Sequence, residues 1–292
     1  MGERVGFVGL GAMGRPLATR LLRAGYPVSV YARRAEAAQA LTALGAQSCA
    51  SPQAVAQRSD VVFTMVTATG DVEEVVLGSA GIVHGAAAGS MVVDMSTISP
   101  HATRRIAAAL AERSVAMVDA PVSGGPAAAE GGTLAIMVGA AEAAFERVQP
   151  LLRHLGQSIV HIGDSGSGQI AKACNQLALC VTIEGIAEAL ALCARLGADP
   201  ARVRAAMLNG FAASRALEVF GARMVERNFV AGVESRLHHK DLQIVLELAH
   251  GLGLAVPGAA ATTQTFNALI GAGGGRSDSA ALLQIVEGKP IT

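Results

Sequence analysis

The sequence predicts an α/β protein, a doubly wound parallel sheet followed by an all-α C-terminal domain. Three observations predict it. Short β-rich runs alternate with helical stretches through the first half, a glycine- and serine-rich stretch from Gly163 to Gly168 (GDSGSG) marks a change of character, and beyond it only helical periodicity remains. Strand, helix and strand in repetition imply parallel pairing, with helices covering both sheet faces.

Strands are expected at residues 4–9, 27–32, 60–66, 90–95, 114–120, 133–138 and 158–162. Several are unbroken apolar runs rather than alternations, as burial of both faces demands. Ser51-Pro52 and Ser99-Pro100 mark helix starts, each placing a hydroxyl N-cap before a proline suited to the first helical position. Past the glycine-rich stretch a helical pattern runs from about residue 169 to 196. Asp199-Pro200 then caps a helix ending at Gly210, and segments near 214–227, 240–251, 258–270 and 279–287 follow. The boundary is placed between residues 1–164 and 165–292.

Composition narrows the classes. Of 292 residues 51% are hydrophobic, enough for a sizeable core, while Lys+Arg 23 and Asp+Glu 23 cancel. A neutral chain offers no basic stripe for nucleic acid, so a small molecule is the expected partner. Cys49, Cys174, Cys180 and Cys193 have no metal-ligand spacing, and no metal is expected. They read as small buried hydrophobes in a reducing compartment. The apolar run 5–22 is interrupted by glycines and read as a nucleotide loop rather than a secretory signal, and the run 177–194 carries Glu184 and Glu188. No membrane association is expected, and the protein is read as cytoplasmic.

Gly9-Leu10-Gly11-Ala12-Met13-Gly14 is a GxGxxG that follows a strand and opens a helix, the context of a Rossmann-type dinucleotide site. Gly9 permits the turn, Gly11 lets backbone approach a pyrophosphate, and Gly14 allows close helix–strand packing. The second strand ends in Tyr31-Ala32-Arg33-Arg34, without the acid that accepts from the ribose hydroxyls of NAD. A guanidinium at Arg33 can instead fork onto a 2′-phosphate, so NADP(H) is favoured and NAD(H) stays possible. The other reading makes Arg33 and Arg34 solvated charges.

Asp119-Ala120-Pro121-Val122-Ser123-Gly124-Gly125-Pro126 reads as a stiff turn whose N–H groups and Ser123 hydroxyl suit a carboxylate, or as a structural turn only. Gly168, Lys172 and Asn175 fall at i, i+4 and i+7 of an otherwise apolar helix. Lys172 is there either a proton donor or a lysine snorkelling to water. His238-His239-Lys240-Asp241-Leu242 gathers charge at the start of a later helix; its adjacent histidines make a poor metal pair, and Lys240 is a candidate cation near cofactor phosphate or part of a solvated face.

Together these motifs resemble the β-hydroxyacid dehydrogenase family, which includes 3-hydroxyisobutyrate dehydrogenases and tartronate semialdehyde reductases. GFVGLGAMGRPLA looks like the family's cofactor signature, VVDMSTISP its second cofactor contact at Thr97, and the loop at Val66 and Thr67 a further one. The resemblance implies that Ser123, Gly124 and Gly125 hold the substrate carboxylate, that Lys172 is the general acid/base with Asn175 orienting substrate, and that HKDL returns Lys240, with Asp241, to the site. Within the family, NGFAASRALE (209–218) and ISPHATRRIA (98–107) look most like tartronate semialdehyde reductases. The implied activity is NAD(P)H-dependent reduction of tartronate semialdehyde to glycerate. The alternative is a 3-hydroxyisobutyrate dehydrogenase or another short-chain semialdehyde reductase, and the resemblance implies a homodimer or homotetramer.

Overall fold

The computed structural model describes residues 2–291, which form two compact units divided between Lys172 and Ala173. The division falls inside a helix rather than at 164/165. In the first unit β1 (Val5–Val8), β2 (Val28–Tyr31), β3 (Gln47–Ser48), β4 (Val61–Thr64), β5 (Met91–Asp94) and β6 (Ala116–Asp119) pair in parallel in the order β3-β2-β1-β4-β5-β6. Between them run α1 (Gly14–Arg23), α2 (Glu36–Thr42), α3 (Pro52–Ala56), α4 (Thr69–Leu77) and α5 (Pro100–Ala111).

β1, β4 and β5 are buried at every position, which is why the sequence shows apolar runs there. One face packs Phe7, Leu17, Leu21, Phe63 and Val93 together; the other packs Val8, Val62, Val72, Ile82 and Ile106. Ser51 caps α3 as expected, its hydroxyl accepting from the Ala54 N–H at 3.1 Å. Ser99 does not cap α5 through its side chain; its N–H instead donates to the Thr69 hydroxyl at 3.2 Å.

The sheet is not parallel throughout. β7 (Val122–Ser123), α6 (Gly125–Gly131), β8 (Leu134–Gly139), α7 (Glu142–Leu152) and β9 (Gly156–Gly163) complete the unit, and β8 runs antiparallel to β6 and β7 while β9 runs parallel to β8. The connection 124–133 is shorter than the dozen or so residues that a parallel crossover needs, so the chain must return antiparallel. β3 and β7, each two residues long, escape a reading based on periodicity.

The second unit is helical. α8 (Ser167–Arg195), which begins in the first unit, is followed by α9 (Pro200–Leu208), α10 (Arg215–Glu226), α11 (Ser235–Leu252), α12 (Pro257–Gly271) and α13 (Leu282–Glu287). Ile183, Leu190, Leu217, Phe266 and Leu282 form its core. α11 starts at Ser235, ahead of the expected 240, because the Ser235 N–H and hydroxyl both bond to the Ser277 carbonyl at 2.9 Å and hold an extra turn. α8 is long and apolar enough to cross a membrane. It carries core residues along one face, and its half-buried Glu184 accepts from the Thr265 hydroxyl at 2.8 Å, as in a core helix. Cys180 and Cys193 are buried as expected and Cys49 partly so, but Cys174 faces outward.

Candidate active site

The chain leaves β1 toward β2 and β3, then returns to β4 on the other side and proceeds to β5 and β6. The crevice at the carboxyl ends of β1 and β4 is therefore the switch point where open α/β sheets bind ligands. Gly9 sits there at φ 97°, and a Cβ on it would lie 2.3 Å from the Met65 carbonyl oxygen. A Cβ on Gly14 would come within 1.9 Å of the Gly9 carbonyl oxygen and 3.1 Å of the Phe7 ring, so α1 can approach β1 only through glycine. Gly11 is the opposite case, with nothing within 4 Å of the added atom. Leu10 is buried, Ala12 is exposed, and Met13 at the N-cap provides no side-chain acceptor. Open space at Gly11, beside an α1 N-terminus that no side chain caps, makes a cradle that fits a dinucleotide pyrophosphate, with the Arg15 N–H already donating to the Gly11 carbonyl at 3.1 Å.

The neighbouring loops are built on this frame. The Val66 N–H donates to the Ser96 hydroxyl at 3.0 Å, Thr67 is exposed, and Thr97 is half-buried. The Arg33 side chain is 84% exposed and lies 3.9 Å from a carboxylate oxygen of Asp71, which also accepts from the Ala68 N–H at 3.1 Å. Ser123 is half-buried, and Gly124 (φ 137°) and Gly125 (φ 71°) take conformations that disfavour any side chain.

The start of α8 ties three of the sequence motifs together. Asp119, which opens DAPVSGG, accepts from the Gly166 N–H at 2.7 Å and the Gln169 N–H at 2.9 Å. Gln169 donates to the Ser96 carbonyl at 2.8 Å and accepts from the Ile98 N–H at 3.1 Å, one residue either side of Thr97. A Cβ on Gly168 would lie 2.5 Å from the Met137 carbonyl, so this glycine serves close packing. Lys172, about one turn beyond Gln169, is only 6% exposed, which argues against the snorkelling alternative. Asp119 and Gln169 were not singled out in the sequence; the available signals were an acid ending an apolar strand and an amide in an apolar helix.

In the second unit the Asn175 side-chain amide donates to Gln176 Oε1 at 2.9 Å, and buried Gln176 donates to buried Asp241. Asp241 also pairs with Lys240, whose Nζ lies 2.9 Å from Oδ1. Lys240 therefore stands in the second turn of α11 with its neighbour's carboxylate beside it, rather than on an unpaired solvated face. His238 bonds to the Ser279 hydroxyl at 2.7 Å and His239 to the Asn267 amide oxygen at 2.6 Å, so the adjacent histidines have separate partners.

Beside the loops bearing Val66 and Thr97, Asp94 ends β5 fully buried. It accepts from the Thr64 hydroxyl at 2.8 Å and the Ser96 N–H at 3.1 Å, while Oδ2 has no hydrogen-bond partner among the described residues. Burial, with the charge of nearby Asp119 adding, pushes its carboxyl up from 3.8 to about 6. Because the folded value lies above the unfolded one, this group's contribution to stability is fully present below about 3.8 and is lost as pH rises through about 6. Asp94→Asn should remove that dependence. The stability of the native protein relative to the variant, read by denaturant unfolding, is expected to fall by up to about 3 kcal/mol between pH 4 and 7. A constant difference would show that Asp94 titrates alike in both states.

A shallow depression of about 820 Å³, lined by Glu3, Arg4, Tyr26 and Asp60 among others, lies at the opposite ends of the strands. Its main charges are already matched, Arg4 holding Asp60 at 2.6 Å. The motif residues lie elsewhere.

Comparison with known proteins agrees with this geometry. A family model described as the NAD binding domain of 6-phosphogluconate dehydrogenase matches residues 4–163, and one described as NAD-binding of NADP-dependent 3-hydroxyisobutyrate dehydrogenase matches residues 166–286. The chain is 44% identical to 2-hydroxy-3-oxopropionate reductase of Escherichia coli (strain K12) over 97% of each chain. It is 35% identical to 3-hydroxyisobutyrate dehydrogenase of Pseudomonas aeruginosa over 87% of each. The crystal structure of a 3-hydroxyisobutyrate dehydrogenase from Salmonella typhimurium matches with a TM-score of 0.88 at 32% identity, covering 97% of this chain and 100% of that one. Fold, cradle and relatives together define an NAD(P)-dependent oxidoreductase. The chain belongs to the β-hydroxyacid dehydrogenase family.

Proposed function

We infer that the protein reduces a small 3-oxo carboxylic acid, tartronate semialdehyde, to glycerate, drawing on NADPH. The observation that carries this reading is Lys172, a buried lysine in the early turns of α8, joined through Gln169 and Asp119 to the segments bearing Thr97 and DAPVSGG. The Ser123 hydroxyl and the N–H groups after it hold the substrate carboxylate, and Asn175, one helical turn from Lys172, orients the substrate. As the aldehyde carbon is reduced, its oxygen gains negative charge. The Lys172 ammonium stabilises that charge and passes the oxygen a proton. The nicotinamide, when bound, supplies the hydride. The Gly9–Gly14 loop, Val66, Thr67 and Thr97 hold the cofactor, and Lys240 is the cation that the family resemblance assigns to its phosphates. The reading includes a cytoplasmic homodimer or homotetramer, supported by exposed Leu192, Leu196 and Phe211. A panel of aldehyde acids, each assayed with NADH and NADPH, tests it. Activity confined to substrates lacking a carboxylate would end it.

The preference for NADPH rests on Arg33, whose exposed guanidinium is held only loosely by Asp71 and is available to a 2′-phosphate. Arg33→Asp should cut kcat/KM for NADPH much more than for NADH, by roughly tenfold or more in their ratio, as loss of a charge-assisted bond predicts. An unchanged ratio would show that Arg33 never meets the phosphate.

A further inference from the structure

We propose that Gln169 is a positioning residue that registers the cofactor-binding segment 96–98 against the helix carrying Lys172. The proposal rests on the reading above, in which Thr97 contacts the cofactor and Lys172 the substrate oxygen. Gln169 is 1% exposed, and its carboxamide makes both bonds that a strand partner would make, donating to the Ser96 carbonyl at 2.8 Å and accepting from the Ile98 N–H at 3.1 Å. Thr97 lies between these two anchors, so its position follows the amide. The segment transmits the same constraint further, since the Ser96 hydroxyl accepts from the Val66 N–H at 3.0 Å.

The other end of the clamp is equally fixed. The Gln169 N–H is held by Asp119 at 2.9 Å, and Gly168 packs against the Met137 carbonyl. Lys172 follows three residues later, roughly 4.5 Å along the helix axis. One side chain therefore sets the distance between the cofactor segment and the proton donor. A carboxamide carries a donor and an acceptor side by side without charge at any ordinary pH, which is what the two backbone groups require.

The test uses the whole protein and reads cofactor dissociation constants by fluorescence titration alongside kcat and melting temperature. Gln169→Met preserves length and removes both bonds. It is expected to fold, to weaken NADPH about tenfold and to lower kcat about tenfold. Thr97→Val should weaken NADPH in the native background and have little further effect in the Gln169→Met background, because the hydroxyl is already displaced. Gln169→Glu supplies a readout that general loosening would not give. Its carboxylate accepts from Ile98 but repels the Ser96 carbonyl, whereas its protonated form again has one donor and one acceptor. NADPH affinity of this variant, taken as a ratio to native protein so that titration of Asp94 and Asp119 cancels, should recover as pH falls. Native cofactor affinity and kcat in folded Gln169→Met would overturn the proposal, as would a pH-independent defect in Gln169→Glu. Should Thr97→Val leave cofactor binding intact while Gln169→Met weakens it, the Thr97 contact fails and the clamp stands, acting through Ser96 and Val66.

Discussion

Lys172→Ala is expected to lose at least two orders of magnitude in kcat while still binding the dinucleotide. The proposed cofactor residues of the first unit lie on the loops after β1, β2, β4 and β5, and none belongs to α8, so removing this side chain takes away nothing assigned to the cofactor. In the proposed mechanism it takes away a positive charge and a proton beside an oxygen that becomes alkoxide-like. Acid catalysis contributes roughly 10²–10⁴ and electrostatic stabilisation adds to it. Interactions realised mainly in the transition state lower kcat together with kcat/KM and leave ground-state binding nearly untouched. Because Lys172 is buried, truncation also opens a hole, and Lys172→Met separates the effects by keeping most of the volume. Both variants should be equally slow, with fluorescence titration giving near-native cofactor affinity. Near-normal turnover in either would remove Lys172 from the chemistry.

Most of this architecture was legible in the sequence because its signals are local. Five of the six parallel strands announce themselves as β-rich runs, the two-residue β3 being the exception, and the GxGxxG places its glycines where the backbone needs a positive φ, an open approach and a close crossing. Helix starts with a short polar side chain before proline were legible too, although Ser99 shows that the pattern fixes the backbone and not the cap bond. What the sequence hid is long-range. Nothing near position 119 reveals that its carboxylate caps a helix beginning at residue 167, and nothing near 169 reveals a bond to residues 96 and 98. The antiparallel return of β8 was hidden for another reason: a β-rich run has no direction, and only the length of the connection 124–133 excludes the parallel alternative. Lys240 is an intermediate case, since its ion pair with Asp241 joins chain neighbours, whereas the bond from Gln176 to that same carboxylate crosses from α8 to α11.

Discrimination between two aldehyde acids is expected to be large and lopsided. Tartronate semialdehyde and methylmalonate semialdehyde share the carboxylate and the aldehyde, and differ in a hydroxyl or a methyl on the carbon between them. Ser123, Asn175 and Lys172 would treat the shared groups alike, so they cannot separate the two. Selection must come from the groups facing the middle carbon. If those groups are polar and bond the hydroxyl, the methyl analogue leaves them desolvated and unpaired, a penalty that reaches roughly 10⁴ in kcat/KM. A pocket shaped for the methyl pays much less to admit a hydroxyl, roughly a hundredfold. The size of the preference, not only its direction, therefore reports which kind of pocket this is. The proposed reduction of tartronate semialdehyde calls for the polar pocket. The expected result is a kcat/KM for tartronate semialdehyde far above that for methylmalonate semialdehyde, measured with the same cofactor. Equal or better efficiency with the methyl compound would place the chain's activity on the hydroxyisobutyrate side, and the arguments for the cradle, Arg33 and Lys172 would be untouched, because none of them depends on what the middle carbon carries.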